Sequence, residues 1–132
     1  MRARLAWLPL CLATLYGCHR EVCEQLRPRH DIRADLVAEL VDTAQRVDLP
    51  ADQRVAAIDQ LGALQAREAV VPLTEMLPGD WDLVTYHVVR TLGRLGDERA
   101  LPRLREIYRA RVRAPGAIRA AIHDAINTIE AH

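Results

Sequence analysis

Hydrophobic positions recur along most of the chain at the three- and four-residue spacing of an amphipathic helix, and the pattern repeats itself. Residues 61–64, Leu-Gly-Ala-Leu, align with residues 92–95, Leu-Gly-Arg-Leu, at an offset of 31, and the flanking apolar positions stay in register. A half-length third copy, residues 118–129, aligns with the first at an offset of 65. Self-similarity at a fixed period in this range is typical of stacked helical repeats.

Each copy is predicted to be a pair of helices, because turn residues such as those at 78–80 and 114–116 interrupt the helical spacing. The opening helix is expected to bury Leu36, Leu40 and Val47. No segment alternates polar and apolar residues with a period of two, which excludes a sheet. The predicted fold is all-α, a short solenoid of about six helices. The predicted helices are 32–47, 51–64, 67–77, 82–95, 98–111 and 117–131.

Residues 57–64 and 89–104 resemble HEAT repeats of the short, phycobilisome-lyase-like kind. The second stretch carries the family pattern, in which Leu-Gly-x-Leu-Gly-Asp ends one helix and Ala-Leu-Pro-x-Leu opens the next. The first stretch departs from the pattern, since Gln65 and Ala66 replace the Gly-Asp pair. The resemblance implies a scaffold for protein interactions. An alternative is a lyase-like or chaperone subunit that acts on a bound cofactor.

The N-terminus has the pattern of an export signal. Arg2 and Arg4 precede an uncharged run of eleven residues, 5–15, and polar residues begin at His19. A bilayer span needs about 20 apolar residues, so this run is too short to cross a membrane but fits the apolar centre of a signal peptide. Residues 1–17 are therefore predicted to be a signal peptide. The alternative is a soluble N-terminal helix.

The tetrad Leu15-Tyr16-Gly17-Cys18 resembles a bacterial lipobox, except that Tyr16 occupies a position that is usually small. The resemblance implies cleavage before Cys18 and acylation of Cys18, and His19 favours an outer-membrane lipoprotein that faces the periplasm. Residues 18–30 are predicted to be the lipidated cysteine and a tether, and residues 31–132 the HEAT-like domain. The alternative is a soluble periplasmic module without lipid.

The cysteines and histidines point to no metal site. Acylation of Cys18 would leave Cys23 as a single thiol; without acylation, the two could form a local disulfide. No Cys/His spacing resembles a zinc site. His87 has no counterpart in the other copies, and His123 stands where they are apolar, which a last helix without a following repeat tolerates.

Composition argues against catalysis. All 18 basic residues among the 132 are Arg, and the chain contains neither Lys nor Ser. Schiff-base chemistry, a phosphate-loop lysine and a serine nucleophile are therefore excluded. We predict that the protein is not an enzyme and takes no cofactor, metal or small-molecule substrate.

Charge is distributed unevenly along the chain. Residues 18–89 contain 7 Arg and 13 acidic residues, whereas residues 90–132 contain 9 Arg and 5 acidic residues. The basic half is a candidate surface for an acidic protein partner or an anionic envelope surface. The alternative is a solvated face on which the arginines pair with neighbouring acids. Nucleic acid is not expected, because the predicted mature chain is slightly acidic and poor in aromatic residues. The candidate protein-binding residues are Arg90, Arg94, Arg99 and Arg103.

Overall fold

The computed structural model describes residues 29–77, 80–110 and 114–132, with side chains from Ile32 onward. The predicted signal peptide, Cys18 and most of the predicted tether lie outside the described residues. Contacts between Cα atoms divide the chain into two units, Met1–Asp35 and Leu36–His132. Of the first unit, the structure describes residues 29–35, which are helical. The second unit contains the helical repeats.

The described chain consists of six α-helices and two single-turn 3-10 helices, with no strand among the described residues, which confirms the all-α prediction. None of these helices is long and apolar enough to cross a bilayer. The 3-10 turns are Arg67–Ala69 and Glu98–Ala100, and they precede α3 and α5. The helices are α1 (Arg29–Gln45), α2 (Ala51–Ala63), α3 (Val70–Glu75), α4 (Leu83–Leu95), α5 (Leu101–Arg109) and α6 (Gly116–Glu130).

The opening helix differs from its prediction. It includes two residues that the sequence assigned to the tether, and it ends at Gln45, so Val47 lies in the following turn and is 84% exposed. The expectation that Leu36 and Val47 are buried is wrong, since Leu36 is 42% exposed. The buried stripe is Val37, Leu40 and Ala44, so the buried face shares Leu40 with the predicted face and is shifted to one side of it.

The second helix of each pair is shorter than predicted, because its first turn is a 3-10 turn. Pro72 lies in the first turn of α3, and Pro102 is the second residue of α5. Proline is tolerated at these positions because the first backbone N–H groups of a helix have no partner within the helix.

The first helices of the pairs lie side by side, so that α4 packs against α2 on one side and α6 on the other. Their apolar faces form the core, where Ile58, Leu61 and Leu92 are fully buried and Ile122 and Ile129 are 2% exposed. A helix pair cannot bury its apolar face alone, and stacking supplies the missing cover.

Glycine sets the closest approach in this stack. A methyl group at Gly93 of α4 would lie 3.0 Å from both Cα and Cβ of Ala125 in α6. A methyl group at Gly62 of α2 would lie 3.2 Å from Cγ2 of Thr91 in α4. Both glycines therefore allow neighbouring first helices to pack more closely than any other residue would permit.

The turns between paired helices share one backbone conformation in both copies. Gly96 ends α4 with φ of 62°, in the left-handed region. Gln65, at the equivalent place after α2, has φ of 51°. Glycine adopts this region without a steric penalty, whereas a residue with a Cβ is strained by roughly 1–2 kcal/mol. The first copy thus keeps the turn of the family pattern despite lacking its glycine.

We expect Gly93→Ala to destabilise the protein. The clash with Ala125 involves backbone and should cost roughly 1–3 kcal/mol, which exceeds the gain in helix propensity of up to about 1 kcal/mol. Gly116→Ala is the matched control, because nothing lies within 4 Å of a methyl group at Gly116. In urea unfolding, Gly116→Ala should have a higher free energy of unfolding than Gly93→Ala. Equal stabilities of the two variants would contradict the close packing of α4 and α6.

We expect Gln65→Gly to raise the free energy of unfolding by about 1 kcal/mol, because glycine relieves the strain of the left-handed turn. Gln65→Ala keeps the Cβ and should give no such gain. Both variants lack the hydrogen bond that Gln65 Nε2 donates to the Gly62 carbonyl. The difference between their free energies of unfolding therefore reports the backbone strain and not the loss of that bond. A lower stability for Gln65→Gly than for Gln65→Ala would refute the argument.

Candidate functional site

The four candidate arginines line two separate grooves. Arg90 and Arg94 belong to α4 and line a groove of about 490 Å³ between α4 and α6. Arg99, in the 3-10 turn, and Arg103, in α5, line a second groove of about 390 Å³ next to α3. The structure therefore brings the four candidate arginines together in two pairs and not on one surface.

Arg99 is held within its own turn. Its Nε and Nη2 donate to the two carboxylate oxygens of Asp97 at 2.9 and 2.8 Å, and Nη2 also donates to the carbonyl of Arg67 at 2.9 Å. Asp97 also accepts the backbone N–H of Arg99 at 3.0 Å. The hydrogen bonds from the Arg99 guanidinium are the main reason why the pKa of Asp97 falls to about 2.

Arg103 joins the second helices of the two pairs. Its Nε and Nη2 donate to the carbonyl of Leu77, just after α3, at 3.0 and 2.9 Å, and its Nη1 pairs with Glu106 at 2.6 Å. Arg54 of α2 makes a related contact, since its Nε donates to the carbonyl of Ala44 in the last turn of α1 at 2.9 Å. Carbonyl groups near a helix C-terminus lack partners within the helix, and these guanidinium groups supply them.

For Arg99 and Arg103, then, the pairing with Asp97 and Glu106 that the solvated-face alternative predicted is present. Arg90 and Arg94 differ. The Arg90 guanidinium lies over the ring of Tyr86, 5.6 Å from its centroid, and Arg94 Nη1 lies 3.3 Å from where a methyl group at Gly62 would be. Within the described part of the chain, neither forms an ion pair with a carboxylate.

The sequence missed a side-chain hydrogen bond that links α2 to α4. His87 Nδ1 lies 2.9 Å from Asp59 Oδ1, and the His87 side chain is 19% exposed. The two residues are 28 apart in sequence and occupy different positions in the repeat. The alignment of the copies therefore could not pair them, and His87 stood out only as an unmatched polar residue.

His123 is exposed on the last helix, as the sequence predicted for a position without a following repeat. Its ring lies 5.8 Å from that of Tyr108, and its Nδ1 lies 3.2 Å from Asn127 Nδ2. The carboxylate of Asp124 lies 3.8 Å away, beyond hydrogen-bond distance, so the adjacent pair is no catalytic dyad. Among the described residues, no group of three or more His, Cys, Asp or Glu is placed to hold a metal ion.

The pairing of helices, the left-handed turns and the proline-containing second helices place the chain in a known repeat class. The family model of HEAT repeats matches residues 34–126, more than two thirds of the chain. The chain belongs to the HEAT-repeat family. No curated protein and no solved structure matches the chain.

HEAT repeats generally act as scaffolds for protein interaction, and the arrangement described above agrees with that role. The polar contacts of Arg99 and Arg103 join the two helix pairs of the HEAT stack.

We expect acid to remove the stabilisation that the Asp97–Arg99 pair provides. The folded-state pKa of Asp97 is about 2, below its ordinary value of 3.8, so its contribution is present above about pH 4 and is lost as the pH falls through 2. In Arg99→Gln the pKa of Asp97 should rise toward 3.8, and the decline in the free energy of unfolding between pH 5 and pH 2 should become shallower.

Arg109→Gln is the control on α5, because Arg109 is not among the groups that lower the pKa of Asp97, so this variant should keep the wild-type decline. Urea unfolding at several pH values gives the slopes, and a carboxyl NMR titration gives the pKa of Asp97 directly. An unchanged slope and an unchanged Asp97 titration in Arg99→Gln would contradict the assignment.

Proposed function

We propose that the protein is a lipid-anchored component of a bacterial cell envelope whose HEAT stack is a scaffold for protein interaction. The scaffold part rests on the match to HEAT repeats over residues 34–126, which is the observation that carries the proposal. Residues 36–132 supply the compact helical unit that a scaffold needs. Binding through a preformed surface, without a chemical step, is the proposed mechanism.

The anchor part rests on the sequence. The short apolar run at 5–15 and the lipobox-like residues 15–18 support export and acylation of Cys18. Several acyl chains contribute about 0.8 kcal/mol for each buried methylene, which gives stable attachment. The residue after the cysteine, His19, supports sorting to the outer membrane, with the stack facing the periplasm.

The second candidate is a soluble periplasmic HEAT module, which Tyr16 favours because its side chain is larger than the small residues usual at that place. A lyase-like subunit acting on a cofactor has less support, since the polar residues of the larger groove stand on opposite walls of an alanine floor, with Arg90 and Arg94 on α4 and Asp124 and Thr128 on α6.

We expect wild-type protein expressed in a bacterium to incorporate a clickable fatty acid and to partition into the detergent phase. Cys18→Ala should remain an unprocessed precursor and lose the label. Cys23→Ala is the matched control and should keep both label and partitioning. Unlabelled wild-type protein in the aqueous phase would replace the anchor proposal with the soluble module.

The scaffold is tested in the same cells by cross-linking intact envelopes and identifying what is covalently joined to the protein. We expect a reproducible cross-linked partner. The control is the same signal peptide fused to an unrelated helical domain, which should not capture that partner. Repeated absence of any partner would count against a scaffold whether or not Cys18 is acylated.

A further inference from the structure

We propose that the groove between α4 and α6 docks an acidic peptide segment of the partner protein, with its carboxylates on Arg90 and Arg94. This proposal rests on the scaffold function proposed above and specifies its surface and the chemistry of its partner. We call this surface the α4–α6 groove; it is lined by Tyr86, Arg90, Gly93, Arg94, Ala117, Ala120, Ala121, Asp124, Ala125 and Thr128.

The helix stack itself builds the groove. Gly93 and Ala125 bring α4 and α6 together at a separation that a methyl group on Gly93 would not permit. Beside this contact α6 presents alanines, of which Ala117 and Ala120 are exposed and Ala121 is partly buried. Small side chains leave an apolar floor open between two helix walls. Such a floor accepts the backbone and small side chains of a peptide.

The α4 wall supplies the charge. Arg90 and Arg94 are four residues apart on one helix, so their attachment points are separated by about 6 Å along the axis. Carboxylates on alternate residues of an extended peptide are separated by nearly the same distance, about 6.6 Å. An acidic strand with a period of two therefore matches the two guanidinium groups in spacing as well as in charge.

These two arginines are available, whereas other basic residues are engaged. Arg99 and Arg105 are paired with Asp97 and Glu130, and Arg103 is bound to a main-chain carbonyl. In the described part of the chain neither arginine has a paired carboxylate: the Arg90 guanidinium lies over the ring of Tyr86, and Arg94 lines the groove with its Nη1 beside Gly62 of α2. A guanidinium group against apolar surface binds an incoming carboxylate in a fixed geometry.

The opposite wall gives the bound segment a direction. Asp124 and Thr128 line the groove from α6, and Asp124 is its one acidic lining residue. Carboxylates of the peptide should therefore face α4, and its other side chains should lie over the alanine floor. The charge of Asp124 opposes an acidic ligand, so its removal should strengthen binding.

The probe is a fluorescein-labelled octapeptide of alternating Ala and Glu, with the alternating Ala and Gln peptide as the neutral control. Fluorescence anisotropy with the full chain at low ionic strength should show binding of the acidic peptide only. Binding should weaken as salt rises, because exposed charges are screened. No binding of the acidic peptide by wild-type protein overturns the proposal.

Arg90→Glu combined with Arg94→Glu should weaken binding about tenfold or more, since two attractive contacts become repulsive. Arg109→Glu combined with Arg119→Glu changes the net charge equally at exposed positions outside the groove, and should alter the affinity by no more than about threefold. Similar losses for the two double variants would show general charge attraction and would overturn the proposal.

Substitutions of alanine leave the net charge unchanged and so separate the groove from charge alone. Ala120→Trp should fill the groove and weaken binding about tenfold, whereas Ala56→Trp, at an exposed position of α2, should leave it unchanged. Asp124→Asn should tighten binding about two- to threefold. Circular dichroism and the Tm should match wild type in each variant. An unchanged affinity for well-folded Ala120→Trp would overturn the proposal.

An anionic lipid surface is the competing occupant. Vesicles of phosphatidylglycerol that bind through Arg90 and Arg94 while the acidic peptide does not bind would overturn the peptide proposal. The cross-linking experiment distinguishes this failure from failure of the scaffold. If the protein captures a partner from envelopes but does not bind the acidic peptide, the groove proposal is wrong and the scaffold proposal stands. If no partner is captured, the scaffold proposal itself is wrong.

Discussion

The close approach of neighbouring first helices at glycine is the constraint on which this structure depends. Gly93 allows α4 to contact the backbone of α6, and Gly62 allows α2 to approach the Thr91 side chain of α4 closely. At this separation the leucines beside each glycine reach the same buried core, where Leu61 and Leu92 are fully covered. A larger residue would separate the helices, open the core and widen the groove between α4 and α6.

Arginine performs two different tasks around this core. Arg54 and Arg103 donate to main-chain carbonyls near the ends of preceding helices, so they connect elements that side-chain packing alone would leave weakly joined. The planar guanidinium suits this task because it donates two hydrogen bonds in a fixed direction, which an ammonium group cannot do. Arg90 and Arg94 instead face a groove.

The two full repeats show how one backbone tolerates different residues. The second copy has Gly96 in the left-handed turn and Asp97 as a cap that accepts the N–H of Arg99. The first copy makes the same turn with Gln65 in a left-handed conformation, and Ala66 offers no side-chain cap. Helix packing on both sides outweighs a local cost of one or two kcal/mol, so the weaker sequence match still gives the same fold.

The sequence by itself determined the helix pairs, their order and most of the core, because helical periodicity and a 31-residue repeat are local patterns that burial must satisfy. It failed at α1, where no preceding copy fixed the register, and the tertiary structure decided that Val37 and Ala44 are buried while Leu36 is not. Arg99 and Arg103, four residues apart in the chain, line one groove next to α3. Only packing between helices decided that Arg103 reaches the carbonyl of Leu77, that His87 meets Asp59, and that Arg90 and Arg94 line a different groove, because those contacts join residues far apart in the chain.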